Sequence, residues 1–178
     1  MEKKTVDFKA IPKTALRVIM SPAAFFREMP RTGGFAEPLL FMVAMGVVTG
    51  VLAAVLGLFG LATIFSTGMA IAAIIVIPVV YGVLGFIGAG VAFVIWRLLG
   101  SREPYETAYR CVAYIAALMP VVTVLDAVPY AGWLAVVALV TFLYVKASVE
   151  THKLAAQKSW AVFGIIGLVL LIGGYAGR

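Results

Sequence analysis

Asparagine is absent from this chain, glutamine occurs once, at Gln157, and charged residues make up 12% of the 178 positions. An ordinary soluble domain carries about 25% charge. With 63% of residues apolar, too little polar side chain remains to wet the surface of a globule. A soluble enzyme and a disordered segment are both excluded. The only cysteine, Cys111, rules out an internal disulfide. His152 is the sole histidine, so a two-histidine metal site is impossible. Despite 18 glycines there is no G-x-x-x-x-G-K-S/T phosphate loop. The residues therefore predict no catalytic site, no metal site and no cofactor. Cys111 is expected as a buried small side chain and His152 as a surface imidazole. The first 37 residues are interrupted by charge throughout and lack the apolar stretch of a cleavable signal peptide.

What remains is hydrocarbon. From Pro38 to Trp96 no Asp, Glu, Lys, Arg or His occurs over 59 residues, about 88 Å of helix against a bilayer core about 30 Å thick. The run must cross twice, with its break at the most polar point, Ser66-Thr67-Gly68. Three further apolar segments follow, giving predicted spans at about 38–61, 69–99, 108–125, 129–145 and 159–175. The expected fold is all-α: a bundle of five transmembrane helices over residues 38–178, preceded by a tail, residues 1–37, with an interfacial amphipathic helix.

Charge supports the odd count. Basic residues number seven in the tail, three between spans two and three and three between spans four and five; the remaining segments hold zero, zero and one. Positive segments stay in the cytoplasm, so the N-terminus is expected inside and the C-terminus outside. The entire net charge of +6 then lies on the inner side, where anionic lipid attracts it. That makes membrane lipid the expected partner and leaves nothing for nucleic acid to explain. Trp96, Trp133 and Trp160 fall at span ends, as an interfacial belt requires.

In the tail, 14–20 and 21–29 read as two helical pieces, with Ser21 as cap and Pro22 in the first turn. Phe25, Phe26 and Met29 share a face with Arg27 and Glu28 opposite, a pattern that either lies in the headgroup layer or packs on the span ends. Gly46-x-x-x-Gly50, Gly85-x-x-x-Ala89 and Gly88-x-x-x-Ala92 place small residues where helices in lipid approach closely, within the bundle or in a homo-oligomer. Pro78 and Pro120 are expected to kink spans two and three. Glu106 with Arg110, and Lys146 with Glu150, are spaced for i,i+4 pairs. Asp126 suits an outer turn.

Several segments, in order, resemble the Yip1-domain family of five-span membrane proteins, most closely its bacterial members. They are Ser21-Pro22-Ala23-Ala24-Phe25-Phe26 with Gly33-Gly34, then Tyr105-Glu106-Thr107-Ala108-Tyr109-Arg110 ahead of Pro120. Pro129-Tyr130-Ala131-Gly132-Trp133 and Glu150-Thr151-His152-Lys153 follow. The resemblance implies a multi-pass protein of the bacterial cytoplasmic (inner) membrane. Eukaryotic relatives are linked to Rab-type GTPases and vesicle traffic, and their cytosolic tails are commonly much longer than the 37 residues here. The expected role is a non-enzymatic scaffold for membrane organisation or trafficking, acting through lipid or protein contacts of its basic face. Phe25, Phe26, Arg27, Glu150 and His152 are the candidate contact residues. The alternative is a small transporter, channel or lipid-moving protein for apolar or amphipathic cargo.

Overall fold

The computed structural model describes residues 9–61, 70–128 and 130–176. Within them the chain is helical throughout: α1 (Ala10–Met20), α2 (Pro22–Glu28), α3 (Ala36–Leu58), α4 (Ala70–Leu98), α5 (Tyr105–Ile115), α6 (Met119–Leu125), α7 (Ala131–Glu150) and α8 (Ala156–Ala176). A 3-10 turn, Ala116–Leu118, joins α5 to α6. Taking α5, the turn and α6 as one span, five helices are long and apolar enough to cross a membrane. The break expected at Ser66-Thr67-Gly68 and the start of span four at Pro129 lie outside the described residues.

Of the span boundaries that differ from expectation, two move for a clear physical reason. Span three starts at Tyr105 rather than Ala108, and span four continues to Glu150 rather than ending at Val145. The added residues carry charge that finds partners, so helix can continue beyond the uncharged stretch. Lys146 lies over the Phe142 ring, 5.2 Å from its centroid, and Glu150 pairs with Arg27.

Pro120 has no N–H to offer the Ala116 carbonyl four residues back, and the helix tightens into the 3-10 turn at Ala116–Leu118 before resuming. Pro78 stays inside a continuous α4.

The spans are arranged around α5. It touches α3, α4 and α7, while α3 packs along α4 and α7 along α8. The tail folds back onto this bundle: α1 contacts α2, α5 and the 3-10 turn, and α2 docks on α7. Of the two alternatives for the tail, α2 takes the packed one. Ser21 precedes α2 and Pro22 opens it, but the Ser21 hydroxyl makes no capping bond.

The loops sort to two ends. Arg31 meets Glu103 and Ser101 meets His152, so the segments before span one, between spans two and three and between spans four and five converge. At the other end Tyr175 donates to the Tyr130 carbonyl at 3.2 Å. The three basic segments thus form one end of the bundle.

Candidate functional site

The basic end is held by polar side chains, some fully buried, as Arg110 and Thr107 are, and some open to water, as Arg27 and Glu37 are. The Gly33-Gly34 turn takes φ of 128° and 86°, values that side-chain-bearing residues rarely adopt. The turn presents both main-chain groups of Gly34 to α5. Glu106 Oε1 accepts from the Gly34 N–H at 2.6 Å, and Arg110 Nη1 donates to the Gly34 carbonyl at 3.0 Å. Arg110 is completely buried. Its Nη2 lies 3.4 Å from Glu37 Oε2, and Tyr114 donates to the other Glu37 oxygen at 3.3 Å. The expected Glu106–Arg110 pair on one helix face is therefore corrected: both residues bind the tail instead. An exposed i,i+4 pair contributes only about 0.2–0.5 kcal/mol, whereas a charge-assisted bond from a buried guanidinium contributes about 1.5–3 kcal/mol. Beside this latch, Arg31 Nη1 pairs with Glu103 Oε1 at 2.7 Å and Thr107 donates to the Arg31 carbonyl at 3.0 Å.

A second cluster sits where α4, α7 and their loops meet. Trp96 is fully buried, and its Nε1 donates to Ser148 Oγ at 2.7 Å. The His152 ring stacks on Trp96 with centroids 4.0 Å apart. Its Nδ1 is hydrogen-bonded to Ser101 Oγ at 2.8 Å, and its Nε2 lies 4.0 Å from Cys111 Sγ. Gly100, at φ 102°, places Ser101 by closing α4 with bonds from Ser101 N–H to the Trp96 carbonyl and from Gly100 N–H to that of Arg97. Burial, and then the Arg31 cation, push the His152 imidazole down to about 4, so it is neutral at ordinary pH. Two expectations are corrected here. His152 is a core residue, 4% exposed, because its ring edge is satisfied on both sides. Trp96 belongs to the core rather than to an interfacial belt, because Ser148 satisfies its N–H inside the bundle.

The tail completes the arrangement. Thr151 donates to the Phe26 carbonyl at 2.8 Å. Phe25 meets Tyr114 edge-on at 5.1 Å, and both phenylalanines are buried. Arg27 grips Glu150 with two bonds, at 2.9 and 3.1 Å, which raise the Arg27 pKa. Phe25, Phe26, Arg27, Glu150 and His152 thus gather in one region. The exposure expected of Phe25, Phe26 and His152 is corrected, since the bundle uses them internally.

Ser101, Thr107, Ser148 and Thr151, all buried, were missed from sequence. In a chain so short of polar groups, any hydroxyl near a span end needs a partner, and that signal could have found them. Among the described residues no group of three or more His, Cys, Asp or Glu could hold a metal.

Deeper in the bundle, small residues set the contact between spans one and two. A methyl group on Gly46 would lie 2.7 Å from Pro78 Cα, and one on Gly50 would lie 2.8 Å from Ala73 O and Ile74 Cα. A Cβ on Gly85 would overlap the Met42 thioether, and Ala89 is fully buried. Beside this contact runs an apolar groove of about 610 Å³, lined by Leu39, Val43, Pro78, Gly82, Val83 and Phe86 among others.

No curated protein and no solved structure matches the chain. Residues 16–177 match the Yip1 domain, whose family consists generally of non-enzymatic trafficking proteins. The match takes in all five long apolar helices and both polar clusters, and the chain belongs to the Yip1-domain family of multi-span membrane proteins.

Proposed function

We propose that this protein is a non-enzymatic membrane scaffold whose basic end faces the anionic cytosolic leaflet and organises lipid or a protein partner there. The N-terminus lies in the cytoplasm and the C-terminus outside, in a bacterial inner membrane. One observation carries the reading: the three segments that hold 13 of the 14 basic residues converge at a single end of the bundle. Positive segments are retained on the cytoplasmic side, and each cation near an anionic surface contributes about 1 kcal/mol. The latch and the histidine cluster give that end a fixed shape, which suits a docking platform.

Affinity capture from native membranes, with lipids and proteins both identified, tests this reading. Enrichment of anionic phospholipid together with a protein partner is expected. One lipid class at fixed stoichiometry, with no protein, overturns it in favour of the lipid-moving alternative. That second reading has its own support in the apolar groove along Pro78, which has room for part of an acyl chain. A reporter fused to the C-terminus is expected to be active only outside the cytoplasm; activity inside would reverse the assigned sidedness.

A further inference from the structure

Of the two places the sequence offers the Phe25-Phe26 helix, the headgroup layer and the span ends, the buried rings occupy the second, which leaves another surface of the tail to meet lipid. On α1 the inner side is used by the fold: Val18 is fully buried, and Ile11, Ala15 and Ile19 pack against the core. The outer side is not. Leu16 is 62% exposed and Met20 77% exposed. Lys9, Lys13 and Arg17, each four residues from the next, run along the same side and are also exposed. Arg17 makes an ion pair with Glu28 of α2.

Placement says what this side meets. α1 contacts the 3-10 turn at Ala116–Leu118, which lies inside span three, about 17 Å of helix beyond its start at Tyr105. Because α1 also contacts α5 and α2, it runs along the flank of span three next to the basic end, where acyl chains give way to headgroups. Two large exposed apolar side chains there reach acyl chains. Cations on flexible stems beside them reach outward to headgroups. Among the described residues of this side, Lys13 and Arg17 stand beside one carboxylate, Glu28, an excess of positive charge that favours an anionic headgroup over a zwitterionic one.

We propose that the outer face of α1 is a docking site for anionic phospholipid, with Leu16 and Met20 in the acyl layer and Lys13 and Arg17 on headgroup phosphates. The proposal deepens the reading that the basic end faces an anionic leaflet, and rests on it.

The test uses the full-length chain with Cys111→Ala, labelled with a nitroxide-quenchable fluorophore at Met20→Cys. It is reconstituted in nanodiscs of phosphatidylcholine and phosphatidylglycerol at about three to one. Doxyl-labelled phosphatidylglycerol is expected to quench at least about twofold more than doxyl-labelled phosphatidylcholine, and a Lys13→Gln, Arg17→Gln double variant is expected to lose the difference while keeping the quenching. Quenching by aqueous iodide with none by either lipid would overturn the proposal. So would equal quenching by the two lipid classes, or protection that grows with the number of protein copies per disc. A control label at Gln157→Cys, in the third basic segment, separates the two failures. Anionic preference at 157 but not at 20 sinks the α1 face alone; preference at neither site sinks the functional reading as well.

Discussion

Spans two and three, with mean hydropathies of 2.4 and 1.7, turn their side chains in opposite directions. In its most apolar stretch, span two is 11% buried, and span three is 56% buried. Ile75, Val79, Val83, Ile87, Val91 and Val94 of span two all face outward. The residues that span three hides include Thr107, Arg110 and Cys111. Water would reverse this assignment. In lipid an exposed valine costs nothing, because the solvent is as apolar as the side chain, while an unpaired polar group is expensive. Polar and small residues therefore mark the interior of this protein, and large aliphatic residues mark its outside.

Span two does enter the interior at one strip, and breaking that strip should have the largest effect. Gly50→Leu would drive a side chain into the backbone at Ala73 and Ile74. A loss of about 3 kcal/mol is expected, seen as a fall in folded yield and melting temperature in detergent. Val83→Leu, on the lipid side of the same span, should leave both unchanged. An unaltered melt for Gly50→Leu would remove Gly50 from the contact.

Span three is more sensitive through its charge. Arg110→Met keeps the length of the side chain but leaves the Gly34 carbonyl without its donor. This should cost about 2 kcal/mol, and Arg110→Lys should recover little of it, because one ammonium cannot replace the planar fork. Full recovery with lysine would mean that charge alone matters at this position.

A smaller effect depends on pH. The folded state holds His152 at about 4, below the usual histidine value of about 6.5. Between those values the unfolded chain binds the proton and the folded chain does not, so stability falls as pH is lowered. About 1 kcal/mol should be lost between pH 7.5 and 5.5, and His152→Asn should flatten that slope. An equal slope in the variant would assign the pH dependence to carboxylates. Smallest of all is Arg27→Ala. Its ion pair with Glu150 is exposed on the arginine side, so only a slight destabilisation is expected, vanishing at high salt.

Much of this is legible in the order of residues alone. The uncharged run from Pro38 to Trp96 forces two crossings, and the grouping of Lys and Arg points to five. Pro120 marks the break in span three, and Gly46 and Gly50 mark a close contact. Side-chain direction was not legible. Arg110 and Phe26 are chemically suited to a membrane interface, and nothing in their neighbours along the chain shows that Gly34 and Thr151 fold over them. Those partners lie 76 and 125 positions away. The burial of His152 is hidden for the same reason, since its environment is built by Trp96 and Ser101 at the end of span two and by Cys111 in span three.

Oxygen accessibility of single spin labels, scanned along spans two and three in bilayers, tests most directly whether polarity sorts the inside from the outside. Span two should show strong accessibility peaks at 75, 79, 83, 87 and 91, and span three should stay low from 107 to 118. Equal, periodic accessibility in both spans would contradict the account.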